Sequence, residues 1–94
     1  MHVELETIQI IVKGKVQGVF YRQSAKEKAK NFGITGHIKN SHNDEVHIVA
    51  TGSRDQLQNF IRWCREGPPR AIVKDVSIQS LPLQNFETFY IERY

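Results

Sequence analysis

The sequence predicts an α+β fold in which two helices cover one face of a single antiparallel β-sheet. Segments with strand-like and helix-like hydrophobic periodicity follow one another in the order β-α-β-β-α-β. A cluster of turn-forming residues separates the second and third strands, which indicates a hairpin. The length of 94 residues is typical of one domain, so we expect a single domain over residues 1–94.

The first half of the chain supplies a strand, a loop and a helix. Residues 7–12 are mostly β-branched and partly alternate in polarity, as in a half-buried strand. Gly14 and Gly18 mark the loop that follows. Residues 21–32 then carry apolar side chains at helical spacing, and Gly33 stands where a left-handed residue would end this helix.

The second half supplies a second helix and the remaining strands. Ser53 followed by Gln56 is typical of a capping box, and the Gly-Pro-Pro sequence at 67–69 would end the helix it begins. Cys64 lies on the apolar stripe of this helix and Trp63 beside it, so we expect both to serve packing. Strands are predicted at 35–40, 45–51 and 72–80, with a last one within 86–91.

This element order, with its extra C-terminal strand, is that of a ferredoxin-like βαββαβ sandwich. Crossovers between parallel strands are right-handed, which leaves few other ways to wind the chain. In this topology the carboxyl ends of the first two strands lie at the same end of the sheet. Residues that follow these two strands are therefore expected to lie close together.

Charge, hydropathy and cysteine content limit the kinds of binding partner and the cellular compartment expected for the protein. The net charge of +3 comes from scattered basic residues and gives only a mild preference for anionic partners. No run of apolar residues exceeds three, so no segment is expected to span a membrane. Cys64 is the only cysteine, which excludes an internal disulfide and fits a reducing compartment. Because the N-terminus lacks the pattern of a secretory signal, we expect a cytoplasmic protein.

The loop Gly14–Arg22 is the first candidate for chemistry. Its two glycines allow successive backbone amides to face one concavity, a shape that binds anions, and the following helix adds the positive end of its dipole. Arg22, in the first helical turn, offers a planar two-pronged contact to phosphate oxygens. The alternative is a glycine-containing loop followed by a solvated arginine. The loop matches neither a Walker loop nor a dinucleotide fingerprint.

Asn40 is the second candidate, because it ends the second strand at the same end of the sheet. A carboxamide has both a donor and an acceptor, which suits holding a water molecule rather than abstracting a proton. Taken alone, Asn40 would be interpreted as a turn residue beside the hairpin.

These residues carry a resemblance. Gly14–Arg22 resembles the first signature of the acylphosphatase family, a Gly-x-Val-Gln-Gly-Val-x-aromatic-Arg run, and matches it at every fixed position. The second signature of the family is resembled by residues 36–40, Gly36-His37-Ile38-Lys39-Asn40, continuing to Val46 and Gly52. Two later stretches are also similar to that family, Trp63…Gly67-Pro68 and Phe89-Tyr90-Ile91. The departures are His37 in place of an aromatic residue, Ile38 in place of a smaller one, and Asp44 in place of a glycine. Asp44 would need a left-handed backbone, which aspartate tolerates.

The resemblance implies the fold predicted above and hydrolysis of the carboxyl–phosphate bond of acyl phosphates, without a metal or other cofactor. It implies that Arg22 binds the phosphoryl group and that Asn40 orients the attacking water. The partners expected are a small acyl phosphate as substrate and inorganic phosphate as product and competitive inhibitor; we expect a monomer that binds neither nucleic acid nor membrane. The cradle implied for the phosphoryl group consists of the backbone amides of Lys15, Val16, Gln17, Gly18, Val19, Phe20 and Tyr21.

The residue chemistry agrees with this reaction. Neither motif contains an evident general acid, and none is needed when the leaving group is a carboxylate. A loose phosphoryl-transfer transition state requires mainly charge stabilisation and an in-line nucleophile. His37 and His47 share the open face of the sheet if the hairpin loop has three residues, but no further ligands complete a metal site with them.

Two other classes of function stay open on the sequence. RNA-binding modules share this element order, but they stack bases on aromatic residues of the central strands. Residues 8–12 and 46–51 contain no aromatic side chain, which disfavours that class. A ligand-binding or regulatory domain of the same fold without catalysis is the second alternative. The presence of both Arg22 and Asn40 argues against it.

Overall fold

The element order predicted from the sequence is confirmed by the computed structural model, which describes residues 4–93. The elements are β1 (Glu6–Lys15), α1 (Tyr21–Asn31), β2 (Thr35–Asn40), a 3-10 turn (His42–Asp44), β3 (Val46–Gly52), α2 (Arg54–Glu66), β4 (Ile72–Leu81) and β5 (Phe89–Ile91). The first strand extends three residues beyond its predicted end, and the last strand is shorter than the predicted range.

The strands form one sheet in the order β4-β1-β3-β2-β5. The pairs β1–β4, β1–β3 and β2–β3 are antiparallel, as expected, whereas β5 pairs in parallel with β2. The sheet is therefore mixed rather than wholly antiparallel. The reason is that β4 ends at the far end of the sheet from the loop after β1. Residues 82–88 then cross that far end, where Gln84 bonds to Thr7 and Thr51, and β5 starts beside the beginning of β2.

The ends of both helices follow from local sequence. Ser53 accepts a hydrogen bond from the Gln56 amide and the Gln56 side chain accepts one from the Ser53 amide, so the predicted capping box is confirmed. Helix α1 is terminated by Gly33, which follows the C-cap residue Phe32 and has φ +76°. The Ile34 amide donates to the Ala29 carbonyl and the Gly33 amide to the Lys30 carbonyl, which is the pattern of a Schellman motif.

Both helices pack on the same face of the sheet, α1 over β2 and β5 and α2 over β1, β3 and β4. Phe60 and Cys64 of α2 are fully buried there, which confirms the packing role of Cys64. Burial raises the pKa of the Cys64 thiol to about 12. Trp63 stacks near Phe60 at the helix edge, as predicted. No helix in the described part of the chain is both long enough and apolar enough to cross a membrane.

Because α1 runs back along the sheet from the end of β1, its N-terminus lies at the same end as the carboxyl ends of β2 and β5. The fold thus gathers three segments at one end of the sheet: the loop after β1, the β2–β3 hairpin and the residues after β5.

Candidate active site

The loop between β1 and α1, residues 16–20, turns through two residues with left-handed backbone. Gly18 has φ +72°, and Phe20, the residue before α1, has φ 64° and ψ 22°. Val16 and Val19 are 1% and 4% exposed, so their side chains anchor the loop in the hydrophobic core. The loop is therefore held from beneath by two valines while its backbone bends outward between them.

The backbone amides of this loop are available to a ligand. Within residues 4–93, no amide from 16 to 20 donates a hydrogen bond to a backbone carbonyl in the turns and loops. The first amides of α1 lack intrahelical acceptors, as in any helix, and no side chain caps them. No acidic residue lies in the first turn of α1 to neutralise the positive end of its dipole. Such a set of free donors favours an anion.

A pocket of about 240 Å³ opens beside the loop, the start of α1 and the end of β5. Arg22, in the first turn of α1, is half-buried in its lining. Among the described residues no carboxylate forms an ion pair with Arg22. Arg93, two residues after β5, lines the same pocket and adds a second positive charge. The rest of the lining comes from Val16, Gly18, Phe20, Tyr21, Gln23 and Ile91.

Asn40 ends β2 and pairs with Val46 at the closed end of the hairpin. Ile38, two residues earlier, is fully buried, and strand alternation directs the Asn40 side chain to the same helix-covered face. Its Oδ1 atom is buried and accepts no hydrogen bond within the described part of the chain. Buried side-chain oxygens rarely lack a partner, so this one marks a position where a donor from water or ligand fits.

Gln17 connects the loop to the hairpin. Its Nε2 atom donates two hydrogen bonds of 2.9 Å, one to the Ser41 carbonyl and one to the Glu45 carbonyl. Ser41 follows Asn40 directly, so one side chain joins the loop that carries the free amides to the end of β2. The meeting of these two segments, expected from topology, is confirmed by this contact.

Not every predicted cradle residue lines the pocket with Arg22. Val19 is buried in the core. Lys15 and Gln17 line a neighbouring pocket of about 430 Å³ on the other side of the loop. Asn40 lies at the same end of the sheet, but within the described residues it does not belong to the lining of the Arg22 pocket.

Comparison with known proteins decides the family. The model of the acylphosphatase family matches residues 8–91. The chain belongs to the acylphosphatase family. An acylphosphatase of Marinobacter nauticus is 47% identical over 81 residues, which cover 85% of this chain and 88% of that protein.

Solved structures of family members agree with this assignment. The acylphosphatase of Coxiella burnetii superposes with a TM-score of 0.90 at 36% identity, over 94% of this chain and 93% of that one. The acylphosphatase of Bacillus subtilis also gives a TM-score of 0.90, at 32% identity, over 96% of this chain and 100% of that one. The resemblance inferred from the two signatures and the ferredoxin-like fold are both confirmed.

The departures from the family's second signature have structural counterparts. The His37 ring lies 5.6 Å from Phe86 and 5.5 Å from Tyr90, centroid to centroid, so the imidazole packs as an aromatic ring would. Asp44 has φ 61°, which confirms the left-handed backbone predicted for it. Asn43 is left-handed as well, with φ 63°. These are two of the residue types that tolerate this region best, so the hairpin accommodates the missing glycine.

The two histidines of the hairpin face the same side of the sheet, as predicted, because Lys39 pairs with His47 and His37 pairs with Val49. Each lies beside a glutamate: His47 Nε2 is 2.9 Å from Glu45 Oε1, and His37 Nδ1 is 3.4 Å from Glu92 Oε2. His37 Nδ1 is not aligned for a hydrogen bond within residues 4–93. Over the same residues, no group of three or more His, Cys, Asp or Glu side chains is placed to hold a metal ion.

Arg93 and Ile91 are pocket residues that the sequence reading missed. The Phe-Tyr-Ile ending is similar to the family, but nothing in its pattern shows that the parallel pairing of β5 with β2 brings the following residues to the pocket. The sequence signal that could have identified Arg93 is a basic residue two positions after a strand that ends at the same end of the sheet as the site.

Proposed function

We propose that the protein hydrolyses the carboxyl–phosphate bond of small acyl phosphates to a carboxylate and inorganic phosphate, without a metal ion. Family membership supports the reaction. One structural observation supports the proposal for the site. Val16, Gly18 and Phe20, whose amides donate to no backbone carbonyl in the described turns and loops, line one pocket at the N-terminus of α1. Arg22, which forms no ion pair within residues 4–93, lines the same pocket.

The phosphoryl group binds in that pocket. Its oxygens accept hydrogen bonds from the loop amides of residues 15–21, and Arg22 contacts two of them with its planar fork. Arg93 contributes further positive charge. In a loose transition state the charge is spread over the equatorial phosphoryl oxygens, so fixed donors around these oxygens lower the barrier.

Asn40 holds the attacking water. Its buried Oδ1 accepts a hydrogen bond from that water, which then attacks phosphorus in line with the departing carboxylate. The bond between phosphorus and the carboxylate oxygen breaks and takes its electron pair with the leaving group, which needs no proton at neutral pH. The water's proton passes to a phosphoryl oxygen of the substrate, since no carboxylate or imidazole is among the described residues that line the pocket.

The protein is proposed to act as a single domain and a monomer in the cytoplasm, on a free small molecule rather than on nucleic acid or membrane. On β1 and β3, the open face of the described sheet presents Gln9, Ile11, His47 and Val49, none of which is the phenylalanine or tyrosine that the RNA-recognition signature requires.

Release of phosphate from acetyl phosphate by the purified protein tests the proposal. Phenyl phosphate is the comparison substrate, because its phenolate leaving group departs less readily and the site supplies no general acid. We expect catalytic release from acetyl phosphate, little from phenyl phosphate, and near-complete loss in a folded Arg22→Ala variant. Tight phosphate binding without turnover would instead indicate a non-catalytic phosphate-binding domain.

A further inference from the structure

Phe20 is the one large apolar side chain of the phosphate loop that faces solvent. It is 69% exposed, whereas its neighbours Val19 and Tyr21 are 4% and 1% exposed. Exposing a phenylalanine leaves a large apolar surface in water. The family signature leaves this position variable, so the motif itself assigns Phe20 no side-chain role.

The backbone of Phe20 makes this exposure more unusual. With φ 64° and ψ 22° it lies in the left-handed region, where a bulky residue is a true outlier. The other left-handed position of the loop, Gly18, is a glycine, although a Cβ there would meet no atom within 4 Å. Glycine would relieve the strain at Phe20 in the same way. Strained backbone of this kind concentrates at ligand-binding sites.

Phe20 also lines the pocket that contains Arg22. The lining is divided by chemistry, with guanidinium groups from Arg22 and Arg93 and apolar surface from Phe20 and Ile91. The pocket volume of about 240 Å³ has room for several water molecules, more than a phosphoryl group alone displaces. A substrate with an anionic end and an apolar end matches this division.

We propose that the Phe20 ring packs against the acyl group of the substrate and makes the enzyme selective for acyl phosphates with apolar, above all aromatic, acyl groups. The inference rests on the proposed function and names the substrate class of the same site. A ring beside the mouth of the pocket stacks on a planar benzoyl group but finds little surface on an acetyl group.

The test compares kcat/KM for benzoyl phosphate and acetyl phosphate in the wild type, Phe20→Asn and Phe20→Tyr. Asparagine tolerates left-handed backbone, so it removes the ring with little change to the loop. We expect the benzoyl-to-acetyl ratio of kcat/KM to fall about tenfold in Phe20→Asn and to be retained in Phe20→Tyr. The matched control is Leu83→Asn, which removes a 56% exposed apolar side chain from the segment at the far end of the sheet. It should leave the ratio unchanged.

The readout is a ratio, so a general loss of activity does not count as support. If kcat/KM falls equally for both substrates in Phe20→Asn, the side chain has only a role in loop shape and the inference is overturned. A wild type that releases phosphate from neither substrate overturns the proposed function itself, which is a different result. Melting curves of all variants establish that the compared proteins are folded.

Discussion

The side chain of Gln17 is expected to hold the two halves of the site together, and Gln17→Leu tests this. The substitution keeps the approximate volume but removes both 2.9 Å hydrogen bonds. The Glu45 carbonyl still accepts from the Ser41 amide at 2.8 Å, whereas no other backbone donor in the described turns and loops reaches the Ser41 carbonyl. Each hydrogen bond contributes roughly 0.5–1.5 kcal/mol, and an acceptor left unpaired costs more. The substitution should therefore lower the free energy of unfolding by about 1–3 kcal/mol.

That loss has a thermal and a kinetic consequence. For a domain of this size it lowers the melting temperature by between about 5 and 20 °C. Because the loop is released from the residue after Asn40, kcat should fall by roughly ten- to a hundredfold, as expected for a displacement of about 1 Å at a reacting centre. Inhibition by phosphate should weaken less, since the loop amides and Arg22 remain.

The assay pairs thermal unfolding with phosphate release at a temperature where every variant is folded. Gln58→Leu, the same change on the exposed surface of α2, is the matched control and should behave as wild type. A Gln17→Leu protein with unchanged melting temperature and unchanged kcat would show that Gln17 does not hold the loop and the hairpin together. Normal kcat with lowered stability would restrict Gln17 to a structural role.

Three further predictions concern charge and metal. Arg22→Lys keeps the positive charge but loses the two-pronged contact, so the rate should fall on the order of 10²–10³ and phosphate inhibition should weaken in parallel; near-normal activity would reduce Arg22 to a general electrostatic role. Chelator should leave activity unchanged while phosphate competes with substrate, and activity restored only by a divalent metal would contradict the mechanism. The hydrogen bond from His47 lowers the pKa of Glu45 below its usual 4.5, so this contact stabilises the fold above that pH and loses its effect as the pH falls below it. Thermal unfolding against pH should show a shallower acid limb in Glu45→Gln than in wild type.

The sequence was sufficient for the architecture because its signals are local. β-branched alternation, the capping box at Ser53 and the left-handed stop at Gly33 each predicted an element or boundary that the structure confirms. The direction of β5 was not predictable in this way. It depends on residues 82–88 crossing the far end of the sheet, a path set by contacts of Gln84 with Thr7 and Thr51 that no periodicity reveals.

The residues of the site likewise fall into those that the sequence predicts and those that only the tertiary structure places there. The loop and Arg22 were found because they are contiguous in sequence, and Asn40 because the topology places the end of β2 beside them. Arg93 was missed because its place in the pocket depends on the parallel pairing of β5. The bridge from Gln17 was missed because a side-chain contact across 24 residues has no local signature. The roles of Arg22 and Asn40 in catalysis stay predictions.

The proposed mechanism depends above all on Asn40, which positions water for a phosphoryl group held by other residues. The measurement is steady-state kinetics of phosphate release from acetyl phosphate by Asn40→Ala, with a melting curve to establish that the variant is folded. Because Asn40 is proposed to contact the nucleophile and not the substrate, we expect a large fall in kcat, a KM within a few-fold of wild type and retained inhibition by phosphate. A folded Asn40→Ala enzyme with near-normal kcat would contradict it, and loss of phosphate binding would assign Asn40 to the phosphoryl cradle instead.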